Sequence, residues 1–160
     1  MKIMTQQKDQ YFMKEAIKEA EKCIPIKTAF CVGAIIVKNG KIESRGFSRE
    51  LPNNTHAEEC ALMKLSDIKT AIGAEIYTTM EPCSIRLSGK LPCVDRIIHS
   101  GIKRVILGVR EPNTFVQCTG ISTLKKHGIE VKIIQEMEKE CLSIACKNHT
   151  EENLYIKKKY

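Results

Sequence analysis

Apolar and polar positions repeat with a changing period along this chain, and the period predicts most of its elements. In "QYFMKEAIKEAEKCI" (residues 10–24) apolar side chains recur at Phe12, Ala16, Ala20, Cys23 and Ile24, while Lys and Glu fill the other side. That is the spacing of an amphipathic helix, which Pro25 stops. "FCVGAIIVKNGKIESRGF" reads as a hairpin: a β-rich run from Cys31 to Val37 meets the turn Asn39-Gly40 and returns through Lys41 to Phe47. The loop "SRELPNNT" leads into a helix over "HAEECALMKLS". After Gly73, "AEIYTTM" reads as a buried strand running straight into Glu81-Pro82-Cys83. A short helix from Cys93, a strand over "KRVILGV", a turn at "REPNT", a helix over "VQCTGISTLKKHG" and a strand over "IEVKII" follow. The last helix covers about residues 135–147 and gives way to a polar tail, about 148–160.

Strand–helix alternation after an opening hairpin implies an α/β chain in three α/β/α layers, a mixed central sheet of about five strands with helices on both faces. With 160 residues, no internal repeat and no low-complexity linker, 1–160 reads as a single domain. "MKIMTQQKDQ" lacks the apolar stretch of a signal peptide, and no segment approaches the roughly 18 apolar residues that span a bilayer. No membrane partner is expected, and the default location is cytoplasmic, with the nucleus as the alternative. A net charge of +7 admits nucleic acid or a phosphorylated small molecule as partner. The one dense basic run, "IKKKY" at residues 156–160, reads as a solvated tail.

That compartment keeps thiols reduced, so the eight cysteines do not imply a disulfide framework. Cys23, Cys31, Cys60, Cys118, Cys141 and Cys146 sit among apolar or helical neighbours and read as buried small hydrophobes. Cys83 and Cys93 differ, because each directly follows a proline, with nine residues between them. For this pair a disulfide staple competes with a metal site. His56 and Glu58 favour the metal: one imidazole and two thiolates suit zinc, and three protein ligands leave the fourth position to water, as in catalytic sites. Both cysteines lie at or near predicted helix starts, where the helix dipole favours the thiolate. Glu58 can share a cavity with His56 only within the first, irregular turn. Thr55-His56-Ala57-Glu58 also fits a capping box, in which Glu58 would serve the helix end instead.

The order H-x-E, P-C, P-C, set on helix, hairpin, helix, strand and helix, is similar to the zinc-dependent deaminases of the cytidine deaminase-like superfamily over nearly the whole chain. Nucleic-acid and cytidine deaminases place two residues between the cysteines. The long loop here resembles the riboflavin-pathway pyrimidine deaminases, as does "GVREPNTFVQCTGISTLKKHGIEV". "RELPNNTHAEECAL" and "EPCSIRLSGKLPCVDRI" look closest to the fungal branch, the diaminohydroxyphosphoribosylaminopyrimidine-type deaminase. In bacterial members the loop is one residue shorter and Asp stands where this chain has Glu111.

The resemblance implies a cytidine deaminase-like fold and a hydrolase acting on a cyclic amidine C–N bond. The reaction would remove the 2-amino group of 2,5-diamino-6-(ribitylamino or ribosylamino)pyrimidin-4-one 5'-phosphate in riboflavin biosynthesis, the ribityl form being the fungal one. It implies Zn2+ on His56, Cys83 and Cys93, Glu58 as the catalytic proton carrier, and substrate contacts at Lys90, Glu111 and Asn113. It further implies a homodimer or higher oligomer, and a deaminase domain without room for the fused bacterial reductase. Arg86 and Ser88 lie on the loop that must fold over the metal, suited to a phosphate or polyol chain, and Asn54 to the base or ribityl chain. The alternatives are simple exposure for Arg86, a helix cap at Asn54 and a plain connecting turn at Glu111-Pro112-Asn113. Two other functions compete. A tRNA adenosine or free nucleoside deaminase is opposed by the nine-residue spacing and by an aromatic content of 5% without Trp, where base stacking is needed. A catalytically silent zinc-binding subunit is opposed by Glu58, which such a protein would not require.

Overall fold

The expected hairpin opens the sheet. Strands β1 (Gly33–Lys38) and β2 (Lys41–Phe47) are antiparallel. Asn39 and Gly40 join them with φ of 51° and 76°, the paired positive angles of a tight hairpin turn. In this computed structural model, which describes residues 2–111, 119–147 and 149 (side chains from residue 4 on), three further strands complete the sheet: β3 (Glu75–Met80), β4 (Arg104–Val109) and β5 (Glu130–Ile133). The order is β2-β1-β3-β4-β5, with β3 antiparallel to β1 and parallel to β4, and β4 parallel to β5. This is the mixed five-stranded sheet expected.

Both sheet faces are covered. Along β1, Ile35 and Val37 enter one apolar cluster with Phe12, Met13 and Ala16 of helix α1 (Lys2–Glu21) and Cys141 of helix α5 (Glu138–Ala145). The alternate residues, Ala34 and Ile36, enter a second cluster. It includes Ala61 of helix α2 (Ala57–Met63), Ile97 of helix α3 (Cys93–Ser100) and Leu124 of helix α4 (Gly120–Lys126). Gly46 in β2 lets α2 press against the sheet, since a Cβ there would lie 2.4 Å from the Ala57 carbonyl oxygen. Among the described residues no helix is long and apolar enough to cross a membrane.

Three features depart from expectation. Helix α1 begins well before Gln10 and ends at Glu21, so Ile24 falls outside its apolar stripe and is 80% exposed. Of the helix expected over residues 116–128, the part at 116–118 lies outside the described residues, as does Cys118. Cys23 and Cys31, read as separate buried thiols, instead form a disulfide with their Cα atoms 5.6 Å apart. The end of α1 and the entry to β1 are brought side by side by a return loop, a proximity that spacing alone does not reveal. Cys60 and Cys141 are buried free thiols, as expected.

Asp9, in the part of α1 that precedes Gln10, is fully buried and ties four elements together. Its Oδ1 accepts from the Tyr77 hydroxyl (2.7 Å) and Arg104 Nη1 (2.9 Å), its Oδ2 from Arg104 Nη2 (2.7 Å) and Lys132 Nζ (2.9 Å). Burial alone would raise the Asp9 pKa, but the bonds from Arg104, Lys132 and Tyr77 hold it down to about 2, against an ordinary 3.8. A depressed carboxylate stabilises the fold above its ordinary pKa and loses that contribution as pH falls through the folded value. Between about pH 4 and pH 2 the wild type is therefore expected to lose about 2 kcal/mol that an Asp9→Asn variant does not lose. Urea unfolding of both proteins across that window tests this; parallel acid profiles would remove Asp9 as the sensor.

Candidate metal centre and substrate pocket

Helix α2 starts one residue later than a Thr55 cap would place it. His56 is the N-cap residue, extended at φ −87° and ψ 162°, and its N–H donates to Glu59 Oε2 at 3.2 Å. Thr55 is occupied elsewhere: its Oγ1 accepts from Leu51 N (3.1 Å) and donates to Leu51 O (2.7 Å). The T-x-x-E box does not form. Because a helix turns about 100° per residue, this shift gives the capping role to Glu59 and turns Glu58 into the interior.

Cys83 lies just beyond the end of β3, and Cys93 is the first residue of α3, after Pro92 as N-cap. The start of α3 grips Cys83: Val94 N–H donates to the Cys83 carbonyl (3.1 Å) and Cys93 N–H to Cys83 Sγ (3.3 Å). These are the N–H groups that a helix start leaves without partners in its own ladder. His56 Nδ1 stands 3.5 Å from Cys83 Sγ and 3.5 Å from Cys93 Sγ, and all three ligand atoms lie within 4.8 Å of one another. Around a tetrahedral zinc, with bonds of about 2.0–2.1 Å to nitrogen and 2.3 Å to sulfur, such atoms stand about 3.6 Å apart. The trio therefore fits a tetrahedral ion of this size.

The sulfur electrostatics agree. The hydrogen bond from Cys93, reinforced by His56, holds the Cys83 thiol down to about 4. The same bond and deep burial push Cys93 well above its ordinary value. The bond between the two sulfurs thus drives them in opposite directions, whereas a metal would take both as thiolates. Burial pulls His56 down, but Cys83 beside it more than reverses the effect and leaves the imidazole raised.

Two adjacent carboxylates are driven in opposite directions, a recurrent mark of divided acid–base duties. Glu58 is 4% exposed, its Oε1 accepts from the Thr78 hydroxyl at 2.9 Å, and burial raises its pKa. Burial would raise Glu59 too. There Arg86 Nη1 (2.8 Å), the His56 N–H and Arg96 Nη2 (3.0 Å) prevail and keep it below the usual carboxylate range. Glu58 is thus the carboxyl whose pKa burial raises, and Glu59 the one held down by its partners as it braces the helix start.

A cavity of about 340 Å³ opens here, lined by His56, Glu58 and Cys83. Asn54, Arg86, Ser88 and Glu111 also lie on its walls. Cys93, fully buried, lies outside that lining. Arg86 is not a surface residue, since its side chain is 2% exposed and its Nη2 donates to the Asn54 carbonyl at 2.9 Å. Asn54, at φ 55°, does not cap the helix; it anchors Arg86 through its backbone. Lys90 does not line the cavity, and its Nζ bonds the Asn53 carbonyl. Asn113 lies outside the described residues. Sequence reasoning missed Glu59, although it stands three residues after His56 as a capping acid should. It also missed Thr78, Arg96 and Arg49, which carry no local signal.

Residues 6–109 match the family described as the cytidine and deoxycytidylate deaminase zinc-binding region. The chain is 47% identical over 150 residues to the diaminohydroxyphosphoribosylamino-pyrimidine deaminase of Schizosaccharomyces pombe, covering 92% of this chain and 37% of that protein. It is 40% identical over 128 residues to the protein of the same name from Buchnera aphidicola subsp. Schizaphis graminum, covering 79% of this chain and 84% of that one. The riboflavin biosynthesis protein RibD of Aquifex aeolicus is 38% identical over 81% of this chain and 36% of its own length. The chain thus spans little more than a third of the fission yeast and Aquifex proteins. Among solved structures, the Aspergillus oryzae Rib2 deaminase (a C-terminal deletion mutant) superposes with a TM-score of 0.79 at 34% identity, over 94% of this chain and 96% of that one. The same deaminase in complex with DARIPP gives the same figures.

Proposed function

The chain belongs to the cytidine and deoxycytidylate deaminase family, in its diaminohydroxyphosphoribosylamino-pyrimidine branch, and on that premise we propose that it is a zinc-dependent deaminase of riboflavin biosynthesis. The substrate is a phosphorylated 2,5-diaminopyrimidin-4-one carrying a ribitylamino group, and the reaction exchanges its 2-amino group for oxygen from water, releasing ammonia. The observation that carries this reading is the His56–Cys83–Cys93 triangle with Glu58 buried in the same cavity. The choice of the ribityl over the ribosyl form rests on the resemblance to the fungal branch alone; the fission yeast relative is 47% identical to this chain.

Zinc held by His56 Nδ1, Cys83 Sγ and Cys93 Sγ would supply Lewis acidity, bringing the pKa of water from about 15.7 towards about 7. Glu58 does the proton work: its carboxylate takes one proton from the attacking water and gives it to the ring nitrogen, then takes the remaining hydroxyl proton and gives it to the amine, which leaves as ammonia as the carbonyl forms. Thr78 fixes one Glu58 oxygen. Ser88, Asn54 and Glu111 offer polar contacts for the base and its side chain. Arg86 holds the loop between the cysteines against α2 through Glu59. Lys90 and Asn113 remain part of this reading as substrate contacts on the family pattern. The whole of 1–160 serves as one deaminase unit, and it self-associates, for which Ile85, Leu87 and Leu91 on the same loop offer exposed apolar surface.

The test is ammonia release from the ribityl compound, with its ribosyl counterpart and cytidine alongside, each with and without a zinc chelator. Turnover of the ribityl compound alone, abolished by the chelator and restored by zinc, is expected. Absence of turnover on both pathway compounds by metal-loaded protein would overturn the assignment.

A further inference from the structure

The disulfide between Cys23 and Cys31 closes a seven-residue loop, 24–30, and the far half of that loop (Thr28, Ala29 and Phe30) lines the same cavity as His56, Glu58 and Cys83. The loop has little core of its own: Ile24 is 80% and Ile26 39% exposed, and Lys27 and Thr28 are exposed as well. It is therefore held by its ends. Arg49, itself on the cavity wall at a left-handed φ of 62°, clasps both ends at once. Its Nη2 donates to Cys23 Sγ (3.0 Å) and Ile24 O (3.0 Å), and its Nη1 to Phe30 O (3.4 Å). The single bridge between Ile26 and Ala29 and the contacts of His149 Nε2 with the same two carbonyls (2.9 and 3.1 Å) complete the fastening. Beside these contacts, and the packing of Phe30 against the core and the His149 ring, the crosslink is the one covalent restraint on the loop, and cutting it returns conformational freedom to residues 24–30.

We propose that the Cys23–Cys31 pair is a redox latch on the substrate pocket. As a disulfide it fixes residues 24–30 as a wall that receives the substrate; as two thiols it lets that wall loosen, weakening substrate binding while the metal trio keeps its place. The exchange balances with glutathione: two glutathione thiols break the S–S bond and leave as glutathione disulfide, the protein gaining two protons and two electrons, and glutathione disulfide reverses the step. The guanidinium of Arg49 beside Cys23 favours that sulfur as the thiolate that attacks on reoxidation.

The consequence for substrate rests on the deaminase reading, whereas the consequence for the loop does not. Metal-loaded protein would be equilibrated in oxidised and in reduced glutathione buffers, with zinc content measured in both. Alkylation and mass spectrometry are expected to find Cys23 and Cys31 paired in the first and free in the second. Trypsin is expected to cut after Lys27 about tenfold faster in the reduced protein. In the deaminase assay KM should rise about threefold or more on reduction, with kcat changed less than about twofold. A Cys23→Ser/Cys31→Ser variant should show the reduced-state values in both buffers; should it fail to fold, the wild-type comparison decides alone. Free thiols at both positions in the oxidised buffer, or equal Lys27 cleavage in the two states, would overturn the latch whatever the protein's substrate. Unequal cleavage with an unchanged KM would overturn its link to the pocket.

Discussion

Replacing Glu58 with Gln is expected to lower deamination by about a thousandfold or more while leaving zinc content and the melting temperature close to wild type. The size follows from what the substitution removes. Gln has nearly the same shape and keeps an oxygen for the Thr78 hydroxyl, which now donates to Glu58 at 2.9 Å. It cannot take a proton from water or deliver one to nitrogen. Glu58 is also outside the metal trio, so the ion should stay. Its deep burial, which disfavours the charged form, makes the neutral Gln easier to accommodate there. Metal analysis, a thermal melt and an ammonia assay on the same sample separate the outcomes. Full activity in the variant would remove Glu58 from the mechanism. Loss of activity together with loss of zinc would make it a structural residue of the site.

What the sequence disclosed and what it withheld follow from the range of the interactions concerned. The hairpin is readable because Asn39 and Gly40 dictate their own turn, and the meeting of His56, Cys83 and Cys93 because an imidazole and proline-led thiols in this order have few other uses. The alternative capping box at Thr55 is displaced by one position, to His56 and Glu59. On local grounds Thr55 is the better cap for α2, and against it stands Arg86, 27 residues beyond Glu59, which pairs with Glu59 rather than Glu58 at the helix end. The same long-range bond explains why Arg86, written into a polar loop, is buried. Asp9 lies in a polar stretch that gives no hint of burial, and its partners Tyr77, Arg104 and Lys132 come from three different strands. The pairing of Cys23 with Cys31 depends on where a helix ends and a strand begins, which periodicity locates only to within a few residues.

Removal of the Glu59 carboxylate tests that long-range bond directly. Glu59→Ala is expected to destabilise the fold by about 3–5 kcal/mol, because it leaves the buried Arg86 guanidinium with only a carbonyl for company. One side chain currently meets three demands: Oε2 accepts from His56 N and Arg86 Nη1, and Oε1 from Arg96 Nη2. Loss of the cap alone would account for about 1 kcal/mol, so a larger figure identifies the stranded charge as the main cause. Removing both charges gives the discriminating comparison. Because paired burial of two ions gains little over an apolar pair, Glu59→Ala combined with Arg86→Met should recover much of the loss in a double-mutant cycle. The metal should respond as well. His56 is oriented by the cap that Glu59 provides, so zinc affinity is expected to fall in both variants that lack it, even where stability recovers. Urea midpoints and competition with a chromogenic zinc chelator would read the two effects separately. A single-variant cost below about 1 kcal/mol would show that solvent reaches Arg86 once Glu59 is gone. Unchanged zinc affinity would show that β3 and α3, rather than the start of α2, determine the geometry of the site.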